Sequence, residues 1–219
     1  MAGRVRPARR GLADRYTDAV QRHRDEYSIL TWLVGFVATV MESRAAAAHG
    51  AALGVPDLLG WPLAPLAAAA WLLVLAGVGM RVWAAGNLDK NLFSRPAGPY
   101  RLVRHPLYLG TLLISLGFFL SLGAPVTGGL LWLVLMCGIF LPVFRKEERE
   151  LAARFPAYRR YLAQVPALVP SPASAGAAVT SNRFSWVRSR RNFGLRALWF
   201  LPMVPALNWA LRWCTGWCA

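Results

Sequence analysis

The sequence predicts an all-α fold: a polytopic integral membrane protein of about five transmembrane helices. The third and fourth form a short-linked hairpin, and a cytosolic helical extension follows toward the C-terminus. Two observations carry this. The 219-residue chain is 56% hydrophobic and concentrates its apolar residues in runs near membrane-spanning length, at 28–50, 61–83, 106–122, 126–144 and, more weakly, 193–213. Its basic residues alternate between the gaps: Lys and Arg number seven in 1–26, none in 45–60, five in 81–104, none in 121–125 and ten in 145–193. That alternation is the positive-inside pattern for a cytosolic N-terminus, and it puts the segments before Pro106 and after Phe144 on one cytosolic side.

The elements follow in order. Residues 1–27 read as a basic cytosolic arm, either solvated and only setting orientation or a short helix lying on anionic lipid. The first span is cleanly apolar over 29–41, then meets Glu42 and Arg44; one long tilted helix with those two paired on its protein-facing side reconciles the interruption. The second span, rich in Ala and Leu, is the cleanest. Only "SLGAP" separates the third and fourth, which forces an antiparallel hairpin, and Gly110, Gly117 and Ser121 give the third a smooth stripe for close packing. Glu147, Leu151, Phe155 and Tyr158 recur at helical intervals, so the fourth helix continues beyond the membrane until Pro156 breaks it. Tyr158 and Tyr161 then lie on a second short helix. The membrane core thus covers 28–165, a Pro/Ala/Ser-rich and then basic linker 166–192, and a final apolar segment 193–219. Pro202, Pro205 and Asn208 make that segment kinked or laid in the interface.

Several classes are set aside. The net charge of +15 sits between apolar spans rather than along a groove, which argues against a nucleic-acid partner. Cys137, Cys214 and Cys218 have neither metal-ligand nor disulfide-framework spacing, and no metal is expected. The length and mixed charge of 1–27 speak against a secretory leader. A preference for Arg over Lys, with much Ala and Leu, suits a bacterial inner membrane.

The chemistry concentrates in "GPYRLVRHPLYLG", 98–110. Pro106 fits the first turn of a helix, where its missing N–H costs nothing. His105 then stands at the helix entrance beside backbone N–H groups that can hold a small anion such as a carboxylate. Tyr100 and Tyr108 bracket that place with aromatic faces that attract an onium cation. Glu147 and Glu148 emerge from the neighbouring helix of the hairpin on the same side, as acceptors for hydroxyls or an amine. A ligand with a carboxylate, a positive centre and such donors suits this set; S-adenosylmethionine is one, and other nucleotides and zwitterions are others. Plainer roles exist for the same residues. Arg101 and Arg104 suit snorkelling cations, the tyrosines an interface belt, His105 a helix cap, and Glu148 an ion-pair partner of Arg104.

"GPYRLVRHPLYLG", followed about forty residues later by "EERELAARFPAYRRYLAQVP", resembles the paired motif of the isoprenylcysteine carboxyl methyltransferase family and its bacterial relatives, a looser form of which phospholipid methyltransferases share. The likeness covers about 81–170. It implies a multi-helix membrane enzyme that uses S-adenosylmethionine, held by Tyr100, His105, Pro106, Leu107, Tyr108 and Glu147. The loop 92–95 also approaches the cofactor in that family, and its sequence here departs from the usual pattern. Pro156 stands where many members have glycine.

For methyl transfer the cofactor is already activated, so the protein binds, orients and excludes water. A carboxylate acceptor needs no general base at neutral pH; an amine or thiol would give Glu148 that role. Arg104 or Arg145 is suited to hold a substrate carboxylate by a bidentate pair. The acceptor is expected to be lipid-like or membrane-borne. The rivals are a membrane reductase of the sterol-reductase kind, using NADPH, and a helical membrane protein without enzymatic activity.

Overall fold

The computed structural model describes residues 24–48, 57–60, 64–88, 96–123, 125–170 and 175–214. All regular structure among them is helical. Helix α1 is Arg24–Ala48, α2 is Pro65–Asn87, α3 is Pro106–Ser121, and α4, Pro125–Val134, runs through a π-helical turn, Leu135–Phe140, into α5, Leu141–Arg154. Helix α6 is Pro156–Gln164, α7 Ala175–Thr180, α8 Trp186–Arg191 and α9 Phe200–Cys214. Short 3-10 segments lie at Gly98–Arg101 and Gly194–Trp199.

The central contact is the antiparallel pair α2 and α3. It is close because glycines face backbone: a Cβ on Gly77 would stand 2.6 Å from Gly110 O, one on Gly110 2.8 Å from Gly77 O, and one on Gly117 2.7 Å from Ala70 O. Gly110 and Gly117 of the smooth stripe expected on the third span form this contact surface, with Val74, Ile114 and Phe118 filling the space around it, while Ser121 meets Asn208 of α9 instead. Helices α3 and α4 fold back on each other as the short link requires, and Trp132 Nε1 donates to Leu112 O across the hairpin at 2.9 Å.

The π turn has a local cause. Pro142 has no N–H for the carbonyl four residues back, and its ring would press on that carbonyl. The register therefore loosens just upstream, and Leu141 N–H donates five residues back, to Met136 O. Downstream, α5 ends at Arg154, Phe155 is extended (φ −126°, ψ 107°), and Pro156 opens α6. The expected break is present, with Tyr158 and Tyr161 buried on the short helix after it.

Helix α1 packs Gly35 against Phe119 and Leu131. Glu42 is not seen paired to Arg44 as expected: Thr127 Oγ1 donates to Glu42 Oε2 at 2.5 Å, and Arg44 is exposed. A carboxylate facing the hairpin is satisfied more cheaply by a hydroxyl already there than by a long cation bent back along its own helix. Helix α9 returns along the bundle, with Asn208 Nδ2 on Ser121 O at 2.6 Å and an Arg212–Asp57 ion pair. That pair and the Leu59 and Gly60 amides hold the Asp57 carboxyl below its ordinary range.

Among the described residues, two helices, Pro65–Asn87 and Val126–Arg154, are long and apolar enough to cross a membrane; the apolar helices Ile29–Glu42 and Pro106–Ser121 are shorter. Only 28% of the apolar window is buried in each of the two, whereas the core helix of a water-soluble domain would be mostly covered. Leu72, Leu75, Leu130, Leu133 and Val134 all face outward, an apolar exterior that calls for apolar surroundings. The basic arm, residues 1–23 of it, and the loop 92–95 lie outside the described residues. The stretch read as a linker carries α7 and α8 and docks on the end of α2: Asn87 Nδ2 donates to Asn182 Oδ1 at 2.9 Å and Arg183 N to Asn87 Oδ1 at 2.8 Å.

Candidate functional site

The entrance to α3 is built from both motif segments. Leu102 and Val103 donate to Pro99 O, closing the 3-10 turn that buries Tyr100, and Gly98 (φ 55°) packs where a Cβ would strike the Asn87 amide at 2.7 Å. Pro106 is at the first helical position, as its geometry favours. The chain just before it is pinned to the segment after α6: Arg104 N donates to Pro166 O at 2.8 Å and His105 N to Ala167 O at 3.2 Å. The Arg104 guanidinium adds bonds to Leu162 O (2.7 Å) and Val165 O (3.0 Å), and Tyr161 Oη donates to Tyr100 O at 2.7 Å. Sequence-distant backbone is thus fixed around one point.

At that point the two glutamates divide. Tyr108 Oη donates to Glu147 Oε1 at 2.7 Å. His105 Nε2 lies 2.9 Å from Glu148 Oε1, and Arg104 Nε makes an ionic contact with the same oxygen at 2.8 Å, not aligned as a hydrogen bond. A carboxylate accepts, so the proton of the imidazole sits on Nε2. His105 makes no side-chain cap; its ring packs instead on Phe144 (5.0 Å between centroids) and Tyr108 (5.6 Å).

Burial pushes the His105 pKa below its ordinary value, against the opposing pull of its Glu148 bond and of the Glu148 and Glu147 charges, and with a smaller lowering from Arg104. The imidazole is therefore neutral at pH 7. Its folded pKa lies below its unfolded one, so this contribution to stability is present above about pH 6.5 and is lost as pH falls through the folded value. The unfolding midpoint in detergent should drop between pH 7.5 and 5.5, and the drop should be smaller in His105→Gln. Burial likewise raises Tyr100, Tyr161 and Tyr158, the last to about 12, so all three remain phenols.

A cavity of about 960 Å³ opens here. Tyr100, Arg104, His105, Pro106, Leu107, Tyr108 and Glu147 line it. Glu148 is not in its wall; it sits behind, bracing His105 and Arg104. Arg145 is exposed on α5 and away from the lining. The structure adds walls that the motifs do not contain. Arg81 of α2 reaches in, bonded to Leu107 O (3.3 Å) and Thr111; Trp32 and Phe36 come from α1; Phe193, Arg196 and Phe200 come from the C-terminal part. These residue types look like ordinary span or interface residues in sequence. The Tyr100 hydroxyl is buried and has no hydrogen-bond partner among the described residues. Also among the described residues, no group of three or more His, Cys, Asp or Glu side chains could hold a metal ion.

Arg104 binds three groups at once, two at the end of α6 and one on α5, so Arg104→Lys should destabilise the protein by about 1.5–3 kcal/mol, because an ammonium cannot span two carbonyls and a carboxylate as the planar fork does. The unfolding midpoint in detergent measures this.

No family model matches the chain, and no solved structure matches it. It is 40% identical over 101 residues to the cobalt-zinc-cadmium resistance protein CzcN of Cupriavidus metallidurans, an alignment covering 44% of each protein. The match therefore spans less than half the length of that curated relative.

Proposed function

We propose that this chain is an integral-membrane S-adenosylmethionine-dependent methyltransferase, similar to the isoprenylcysteine carboxyl methyltransferase family, acting on a lipid-like or membrane-delivered acceptor. One observation carries the reading: segments 98–110 and 147–166 converge on a single cavity, joined by the Tyr108–Glu147 and His105–Glu148 contacts. The proposal includes five membrane spans, with α1, α3 and α9 crossing beside α2 and the continuous α4–α5 helix. It also places the N-terminus and the cavity on the cytosolic side of a bacterial inner membrane, following the charge alternation.

The residues present fit the cofactor. The buried Tyr100 hydroxyl offers an unsatisfied donor, aromatic faces of Tyr108 and Phe140 suit an onium centre, Glu147 suits hydroxyls or an amine, and Arg81 and Arg104 suit a carboxylate. A cavity of about 960 Å³ lies at the large end of the range for small-molecule sites, leaving room for an acceptor beside the donor. When bound, the cofactor supplies a methyl group activated by a sulfonium. Tyr100, His105, Pro106, Leu107, Tyr108 and Glu147 would hold it. Neutral His105 adds no positive charge beside the onium. Glu148 positions His105 and Arg104, which narrows its role as a general base to acceptors that displace one of them. A labelled methyl group carried from the cofactor into lipid extract by the purified protein, and lost in Glu147→Ala, tests the reading; its absence with every acceptor class counts against it.

The similarity to CzcN supports a second reading, a part in cobalt, zinc or cadmium resistance. The two are compatible, and one experiment separates them. If loss of the protein sensitises cells to these metals and Glu147→Ala restores tolerance fully, the role in resistance is not enzymatic.

A further inference from the structure

The stretch 183–199 is packed inside out. Its buried members are the small residues Ser189, Gly194 and Ala197, and they face α2. Ser189 Oγ donates to Val82 O at 3.1 Å, Asn192 Nδ2 to Ala85 O at 3.0 Å and Arg188 Nε to Gly86 O at 3.0 Å, while a Cβ on Gly194 would stand 2.5 Å from that of Ala85. Four of the large apolar side chains point away, Trp186 (66% exposed), Val187 (78%), Phe193 (56%) and Trp199 (75%), while Phe184 packs on Gly86. Arg190, Arg191 and Arg196 are exposed among them. A segment folding in water would do the reverse.

Depth and charge say what covers this face. Helix α2 has 23 residues and is about 34 Å long, close to the hydrocarbon thickness, so a segment bonded to its last turn sits at headgroup level. Tryptophan favours that level, and guanidinium groups pair with phosphate there. No Asp or Glu follows Glu150 in the sequence, so the segment itself carries no carboxylate to compete for those arginines. Phe193 takes a left-handed conformation (φ 59°, ψ 16°) and carries the Arg196 guanidinium 4.2 Å above its ring, which holds that cation in place. We infer that residues 183–199 are a docking surface for the anionic headgroup layer of the bilayer, selecting acidic over zwitterionic phospholipid. Because Phe193 and Arg196 also line the cavity, the surface reaches the cavity's wall. The inference goes beyond the enzymatic reading and rests only on the membrane placement.

The test uses the full chain in lipid nanodiscs containing equal fractions of brominated phosphatidylglycerol or brominated phosphatidylcholine. The chain has ten tryptophans, so the signal of Trp186 and Trp199 is taken as the difference from Trp186→Phe/Trp199→Phe. Phosphatidylglycerol should quench that difference signal at least twofold more than phosphatidylcholine. Arg190→Gln/Arg191→Gln should remove most of the preference, and high salt should do the same in the unaltered protein. Equal quenching by the two lipids overturns the inference, as does a preference untouched by both the substitutions and salt. Quenching of total fluorescence without quenching of the difference signal overturns it and leaves the membrane placement standing; no quenching at all removes both.

Discussion

Gly110→Leu should be the most damaging single substitution in the bundle, lowering the unfolding midpoint in detergent so far that little folded protein is recovered. A Cβ at Gly110 already meets the Arg81 side chain at 2.6 Å and Gly77 O at 2.8 Å, and the second of these is backbone that cannot step aside. A full leucine would separate α2 from α3 along their whole contact, costing about 3 kcal/mol or more. It would also lift Arg81 from Leu107 O and Thr111, so the cavity wall would go with the fold. A control lies in the same helix. Gly79 has nothing within 4 Å of its Cβ position, and Gly79→Ala should leave the midpoint unchanged or raise it slightly, worth roughly 0.5–1 kcal/mol of helix preference. Equal damage from the two would mean that the close approach at Gly110 does not set the stability of this pair.

The second large effect concerns the site. Glu147→Ala and Tyr108→Ala should each weaken binding of S-adenosylhomocysteine, the demethylated product, by tenfold or more, with the unfolding midpoint changed little in Tyr108→Ala. The 2.7 Å bond between them is charge-assisted, and such bonds are worth about 1.5–3 kcal/mol. More matters than the bond itself: without its carboxylate partner, the Tyr108 ring loses the anchor that fixes its face toward the cavity. Because the two act through one contact, their effects should not add. The double variant should bind about as weakly as the worse single one. Additive losses would mean that the residues contact the ligand independently, or that one of them does not contact it.

Much of the fold was legible. Short apolar separation made the hairpin unavoidable, Pro156 had to break a helix, and the small residues of α3 had to face a close neighbour; each is local chemistry with one structural answer. The site was legible at its centre for a similar reason, since a helix starting at Pro106 and one running past Phe144 in a hairpin bring Glu147 and Glu148 to His105 and Tyr108. What was not legible is held together at long sequence separation by residue types without periodicity. Asn87 and Asn182 are 95 positions apart, and nothing in either neighbourhood announces that their amides meet. The π turn before Pro142 and the left-handed Phe193 leave no pattern either. Glu42 had a cation two residues away in sequence, yet its observed partner is Thr127, supplied by packing. The cavity walls from α1 and the C-terminal part were invisible because aromatic and aliphatic residues on a span read the same whether they face lipid, protein or ligand.

The most direct test of the central claim is a calorimetric titration of the detergent-purified protein with S-adenosylhomocysteine and, in parallel, with NADPH. The first should bind saturably at one site, in a manner sensitive to Glu147→Ala, and the second should give no heat. Binding of NADPH, or no binding of S-adenosylhomocysteine by well-folded protein, would contradict the claim.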